Sequence, residues 1–239
     1  TLPDLGSAFT PQERQTVANA IAKQCDALDG AKDGMVQATQ ACQAAFKVKT
    51  DVPTCTGARH GACLTSEQKD VVARVFEGAH TPAGQRIYAS FPYDTGVAGA
   101  NWGTWKFVDS LIRDPLALRT IFSVPPTPVD PLKDNIAARL EMFSATNDTY
   151  RESGWSLMTP PGEAHPTNLA AVRARGAKVV LYHGVSDAIF SAEDTRQWVE
   201  RVGKAGLNPG ADFARYFPVP GMNHCSMGPA ADQFDLLGP

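Results

Sequence analysis

Two short apolar runs near the C-terminal end constrain the fold more than any other feature of this chain. Lys178-Val179-Val180-Leu181-Tyr182-His183 lies between Gly176 and Gly184, and Phe213-Ala214-Arg215-Tyr216-Phe217-Pro218-Val219 runs into Pro220-Gly221. Runs of this length, rich in β-branched and aromatic residues and closed by glycine, read as strands, and the first suits a buried one. Between them Ser191, followed by Asp194, opens a helix with Trp198, Val199 and Val202 as its inward stripe and Gly206 as its stop. A helix over 168–175, capped by Gly176, leads in. Helix, strand, helix, strand is the grammar of an α/β fold.

Each strand delivers a chemically capable residue at its carboxyl end, where α/β sheets place ligands and catalytic groups. The first runs through Gly184-Val185-Ser186 to Asp187, the second through Pro220-Gly221-Met222-Asn223 to His224. Acid then base, in that chain order, matches the last two members of an α/β-hydrolase triad. The histidine would take the nucleophile's proton and pass it to the leaving alcohol, while the aspartate fixes its tautomer and stabilises the imidazolium. Two plainer readings stay open: Asp187 as the cap of a turn, and His224 as a satisfied loop histidine. Ser186 and Ser226 are possible nucleophiles, but neither sits in a G-x-S-x-G elbow, and the 239 residues contain no such motif. The order Ser, Asp, His places the serine well upstream of Asp187, so it is expected outside this chain.

The totals narrow the rest. A net charge of -3 without a Lys/Arg cluster gives no support to a nucleic-acid surface. No apolar run approaches the roughly 18 to 20 residues a membrane helix needs. Thr1-Leu2-Pro3-Asp4 has neither the basic nor the apolar region of a signal peptide, so the chain is expected to be the middle of a longer protein or the start of a processed one. Hydrophobic residues at 43% and charged residues at 20% fit a folded domain rather than a disordered one.

The first two thirds follow no strand-helix alternation. Thr10-Pro11-Gln12-Glu13 is a capping box with proline at the first helical position, and Val17, Ala18, Ile21 and Ala22 continue it toward Cys25. Thr65-Ser66-Glu67-Gln68 repeats the box ahead of Val71, Val72, Val75 and Phe76. The stretch 42–64 reads as loop with short pieces, and 136–143 as a short helix. Between 78 and 130 glycine, proline and aromatics prevent an assignment, and Pro125, Pro126, Pro128 and Pro131 break any long element.

Five cysteines, Cys25, Cys42, Cys55, Cys63 and Cys225, show no C-x-x-C spacing. Two local disulfides in an oxidising compartment are the simplest reading. Cys225 is then left over, either as a buried free thiol or with a partner outside the chain. Asp26, Asp29 and Asp33 fall within eight residues, with Gly30 and Gly34 to let the backbone turn. Calcium takes six to eight oxygens from carboxylates and carbonyls, which such a loop can supply with carbonyls of residues such as Ala31 and Met35. The spacing is not that of an EF-hand, and a solvated acidic turn is the alternative.

Taken together, the segments from Cys25 to Val36, from Leu181 to Asp187, from Phe190 to Thr195, from Pro218 to Cys225 and from Phe234 to Leu237 resemble the tannase and feruloyl esterase family. The resemblance runs along nearly the whole chain and is weakest over 78–152. It implies an α/β-hydrolase interrupted by a large, mainly helical and irregular lid: 1–165 as lid with a calcium loop, 166–239 as the C-terminal part of the catalytic domain. By resemblance, Asp187 and His224 are the triad acid and base. Asp26, Asp29 and Asp33 with the carbonyls of Ala31 and Met35 are a structural calcium site. Cys25 pairs with Cys42, and Cys55 with Cys63. Cys225 pairs with a cysteine beside the nucleophilic serine, outside this chain. Trp105 and Phe190 match positions that hold the substrate's aromatic ring.

The resulting expectation is a secreted or periplasmic serine esterase acting on esters of aromatic acids. The lid arginine that reads a free carboxylate in a terephthalate-monoester hydrolase of this family has no evident counterpart here, so a ferulate or gallate ester is at least as good a candidate. Two rival readings are a fragment inactive by itself and a calcium-binding extracellular module without catalysis.

Overall fold

The Thr10-Pro11-Gln12-Glu13 signal forms the first helix, α1 (Pro11–Cys25), in the computed structural model, which describes residues 9–131, 133–158 and 169–236. Both halves of the capping box are made: Glu13 N donates to Thr10 Oγ1 at 3.2 Å, and Thr10 N to Glu13 Oε2 at 2.9 Å. Glu13 is buried and pairs with the guanidinium of Arg59, which compensates its charge. After a 3₁₀ turn (Asp26–Asp29) come α2 (Thr39–Ala45) and α3 (Val48–Asp51), the short pieces expected between loops. α4 (Ser66–Glu77) repeats the capping box with Thr65 and Gln68. Val17, Ile21, Val36, Phe46, Leu64, Phe76, Trp102 and Phe107 belong to the core these helices enclose. Cys25–Cys42 and Cys55–Cys63 are both disulfides, as the resemblance implies.

The stretch left unassigned from sequence holds a continuous helical segment. A 3₁₀ turn (Thr95–Ala98) precedes α5 (Ala100–Gly103), which passes into a π-helical segment (Thr104–Asp109) and then α6 (Ser110–Thr120). Pro115 lies inside α6, and Ile112 and Leu116 on it are exposed, so neither composition nor apolar pattern announces a helix there. α7 (Ile136–Ser144) appears where expected, with Asn135 as its N-cap, and α8 (Gly154–Met158) follows.

α9 (Ala170–Ala174) ends before Gly176, which takes φ +76° as a C-terminal cap requires. β1 (Val179–Gly184), α10 (Ala192–Lys204) and β2 (Ala214–Val219) form the strand-helix-strand unit. The strands pair in parallel, Val179 opposite Ala214 through to Gly184 opposite Val219. Val202 of α10 packs with Phe213, Ala214, Val179, Leu181 and Trp198 in a second core. The expectation of a buried strand holds for one face only. Val180, Tyr182 and Phe217 remain about half exposed, because α10 packs on one side of the sheet and the other side opens on a groove lined in part by Met35, Phe234 and Leu236. Tyr182 meets Phe234 edge-on at 5.1 Å.

Ala188, the residue after Asp187, is buried in the first core rather than the second. The first two thirds of the chain and its last third therefore meet at the strand ends. The boundary expected at 165/166, Asn168, Leu237 and the opening residues 1–4 lie outside the described residues.

Candidate active site

The site is built on two loops that leave the sheet side by side. Val185 N donates to Val219 O at 2.9 Å and Ser186 N to Met222 O at 3.0 Å, so the loop after β1 is hydrogen-bonded to the loop after β2. Gly184 permits this approach: a Cβ there would collide with the carbonyls of Met222 and Asn223.

Asp187, 5% exposed, stands at the crossing. Its Oδ1 accepts from the backbone of Ile189 at 2.8 Å and of Phe190 at 2.9 Å, while Oδ2 lies 2.9 Å from His224 Nδ1. Burial pushes its carboxyl up, but hydrogen bonds from His183, His224 and the two amides outweigh burial and hold it below the usual aspartate range. Asp187 is thus a carboxylate at neutral pH. A carboxylate only accepts, so His224 carries a proton on Nδ1, and the lone pair of its neutral form is on Nε2. That is the tautomer a general base needs.

His183 is a residue the sequence argument missed. Its Nε2 lies 2.9 Å from Phe190 O and 3.4 Å from Asp187 Oδ2, and Nδ1 lies 2.8 Å from Thr195 Oγ1. A carbonyl can only accept, so Nε2 bears the proton and the Thr195 hydroxyl donates to Nδ1. His183 is therefore a second donor orienting Asp187. The available signal was a histidine closing a strand four residues before the candidate acid.

The aromatic expectations converge on the imidazole. Trp105, from the π-helical segment, meets His224 edge-on with centroids 4.8 Å apart, and Phe190 packs against it at 5.4 Å. Two cations come with Trp105. The guanidinium of Arg113 lies over its ring at 4.8 Å, and Lys106 Nζ lies 4.0 Å over Phe91. Burial pushes the Lys106 ammonium down to about 8, against the pull of Asp114 and Asp187. A wide turn of π-helix, common at functional sites, carries Trp105 and Lys106, and Arg113 follows on α6.

Cys225 is exposed, which corrects the reading of a buried thiol. Its backbone takes φ +62°, and its Sγ lies 3.7 Å from His224 Nε2. Ser186 is buried and donates its hydroxyl to Asp94, so it is not offered to His224 as a nucleophile.

The acidic loop is organised around its carboxylates. Asp26 Oδ1 accepts from Asp33 N at 3.0 Å and Gly34 N at 2.9 Å, Asp29 from Ala31 N and Gln37 N, and Asp33 Oδ1 from Met35 N. Among the described residues no three His, Cys, Asp or Glu side chains converge as a metal-binding group. The oxygens available there are a mixed set of carboxylates and backbone carbonyls. Thr95 Oγ1 donates to Gly34 O at 3.0 Å, joining this loop to the turn beneath the loops that carry Asp187 and His224.

The chain is similar to known proteins along nearly its whole length. A family model described as "Tannase and feruloyl esterase" matches residues 3–239. The mono(2-hydroxyethyl) terephthalate hydrolase of Piscinibacter sakaiensis is 35% identical over 273 residues, taking in 100% of this chain and 44% of that protein. A probable feruloyl esterase B-1 of Neosartorya fischeri is 28% identical, with 96% of this chain and 41% of that one covered. The crystal structure of feruloyl esterase B from Aspergillus oryzae superposes with a TM-score of 0.61 at 26% identity, covering 91% of this chain and 41% of its own. Tannin acyl hydrolase from Aspergillus niger, at 21% identity and TM-score 0.62, shares the fold over 92% of this chain and 42% of its own. The chain spans less than half the length of these relatives.

Proposed function

Because the chain belongs to the tannase and feruloyl esterase family, we propose that it supplies the acid and base of a serine esterase acting on esters of aromatic acids. The observation that carries this reading is the 2.9 Å bond between buried Asp187 and His224 Nδ1, with two aromatic rings against the imidazole. The nucleophile is a serine carried by another part of the full-length protein, within an α/β-hydrolase sheet that β1 and β2 help to build. The first two thirds act as a lid.

In this mechanism His224 Nε2 takes the serine hydroxyl proton as the oxygen attacks the ester carbonyl. It then gives that proton to the departing alkoxide, leaving an acyl-serine. Water, deprotonated by the same nitrogen, then attacks the acyl carbon, and the proton passes to the serine oxygen as its bond to the acyl group breaks and the acid leaves. Asp187 stabilises the imidazolium formed at each step, and the bonds from His183, Ile189 and Phe190 keep its carboxylate fixed. Trp105 and Phe190 receive the aromatic acyl group.

A second reading is favoured by Arg113. Its guanidinium lies over the Trp105 ring with Nε paired to Asp109 at 3.2 Å, and its remaining N–H donors at the aromatic wall suit an acid bearing a second, free carboxylate such as a terephthalate monoester. A panel assay on the full-length protein tests both readings. Methyl ferulate, methyl gallate and the terephthalate monoester are expected to be cleaved at least about ten-fold more efficiently than an alkyl acetate, a difference of about 1.4 kcal/mol. No preference for aromatic acyl groups would overturn the proposal, and the ranking among the three decides between ferulate-like and terephthalate-like specificity.

The acidic loop is proposed to hold a structural calcium through Asp26, Asp29, Asp33 and the carbonyls of Ala31 and Met35. Hard oxygen donors in a loop closed by the Cys25–Cys42 disulfide support that choice. The ion would fix the loop and, through Thr95, the turn under the site. A chelator is expected to lower the melting temperature while activity measured well below it persists, and an unchanged melting curve would count against the site. The two disulfides support a secreted or periplasmic location.

A further inference from the structure

We propose that Asp94 is a positioning residue: one of its carboxylate oxygens is bonded to both catalytic loops and sets the register in which Asp187 and His224 meet. The proposal rests on the acid-base reading of those two residues. Asp94 lies some ninety residues before Asp187 in the chain, is 1% exposed, and caps the 3₁₀ turn Thr95–Ala98. Its Oδ1 accepts from Gly96 N at 2.9 Å, from Gly221 N at 3.0 Å and from the Ser186 hydroxyl. Ser186 is the immediate neighbour of Asp187, and Gly221 stands three residues before His224. A single acceptor thus restrains the acid loop on one side and the base loop on the other.

The surrounding turn repeats the pattern. Asn223, fully buried beside His224, donates to Gly96 O at 3.3 Å and to Ser186 O at 3.5 Å. Gly96 has no room for a Cβ, which would fall 2.5 Å from Ser186 Cβ and 2.7 Å from Gly221 O. Burial pushes the Asp94 carboxyl up, while the Ser186 hydroxyl and the Gly96 and Gly221 amides pull it down. Its other oxygen is buried with no hydrogen-bond partner among the described residues. The three donors need an acceptor at Oδ1 and do not need a charge, so an asparagine amide oxygen can replace it. Asp94 touches neither His224 nor Asp187. It acts by holding their loops, and small displacements of a catalytic pair are costly, with about 1 Å able to remove on the order of 10²-fold in rate.

The test uses the full-length protein with Asp94→Asn, Asp94→Ala, Ser186→Ala and, as a control that loosens the core behind α3 and away from the Thr95–Ala98 turn, Val52→Ala. Asp94→Ala is expected to lower kcat by about 10- to 100-fold with KM held within about two-fold. Asp94→Asn is expected to restore most of that loss. Ser186→Ala, which removes one of the three donors, should fall between them and serves if Asp94→Ala does not fold. Val52→Ala should lower the melting temperature without lowering kcat. Nitrogen-15 NMR of the His224 ring gives an arm independent of turnover: the Nδ1–H tautomer should be retained in the wild type and Asp94→Asn and become mixed in Asp94→Ala. An Asp94→Ala enzyme with wild-type kcat and an unmixed tautomer would overturn the proposal. If His224→Ala leaves esterase activity intact, the triad reading fails instead, and the tautomer measurement still decides whether Asp94 governs the Asp187–His224 bond.

Discussion

His224→Ala in the full-length protein is expected to lower kcat on an aromatic ester by at least about 10⁴-fold while leaving the fold intact, since a triad works as a unit. The imidazole is only partly buried and its main bond is to Asp187, so truncation leaves the loop backbone in place. Asp187→Asn should cost about as much for a different reason. The amide nitrogen would face His224 Nδ1 as a donor and favour the opposite tautomer, taking the lone pair away from Nε2. The two substitutions should also differ in stability. In Asp187→Asn the amide oxygen can still accept from Ile189 and Phe190, but the amide nitrogen replaces Oδ2 and meets the Nδ1–H of His224 donor to donor, a buried mismatch that His224→Ala does not create. The same bonds set an acid limit. The folded-state pKa of Asp187 is lowered, so its contribution to stability is present above the ordinary aspartate value and is lost as pH falls from about 4 through the folded value. Melting temperature against pH should drop in that window in the wild type and drop less in Asp187→Asn. Equal slopes would remove Asp187 from the account of acid sensitivity, and full activity in either variant would remove the substituted residue from the account of catalysis.

Cys225→Ser in the full-length protein is expected to cost about 2–4 kcal/mol of stability and most of the activity. Cys225 is exposed, next to the base, and held at φ +62°, a conformation costing of order 1–3 kcal/mol for a residue with a side chain. A covalent partner beside the nucleophile would restrain that backbone and tie serine and histidine together through two sulfurs. Serine at 225 keeps the size and the strain but loses the tether. Non-reducing peptide mapping should find Cys225 linked to a cysteine adjoining the serine motif. A free thiol at Cys225 in the oxidised, active protein would defeat this expectation.

Local chemistry was legible wherever one residue's preference decides the outcome. Thr10 and Thr65 start their helices because a hydroxyl caps an amide wherever the chain then turns helical, and Gly176 ends one because it alone enters φ +76° without cost. The strand pair was legible for a similar reason: short β-rich runs between glycines have few alternatives. The segment from Ala100 to Thr120 was not legible, because Pro115 and the exposed Ile112 and Leu116 contradict a helix locally and only its contacts support it. Trp105 could be named through resemblance, yet its place edge-on to His224 follows from a π-helical turn that residue preferences do not specify.

The sequence by itself determined the chemistry: an aspartate and a histidine at successive strand ends, in the order a hydrolase uses, with an unpaired cysteine beside the base. Those facts depend on residues close together in the chain. Only the tertiary structure decided how that chemistry is held. Ala188 sealed into the opposite core and Asp94 bonded to both loops join groups up to 127 positions apart. Such pairs are set by how two cores pack, and a buried acceptor shared by distant donors has no periodicity or spacing to reveal it.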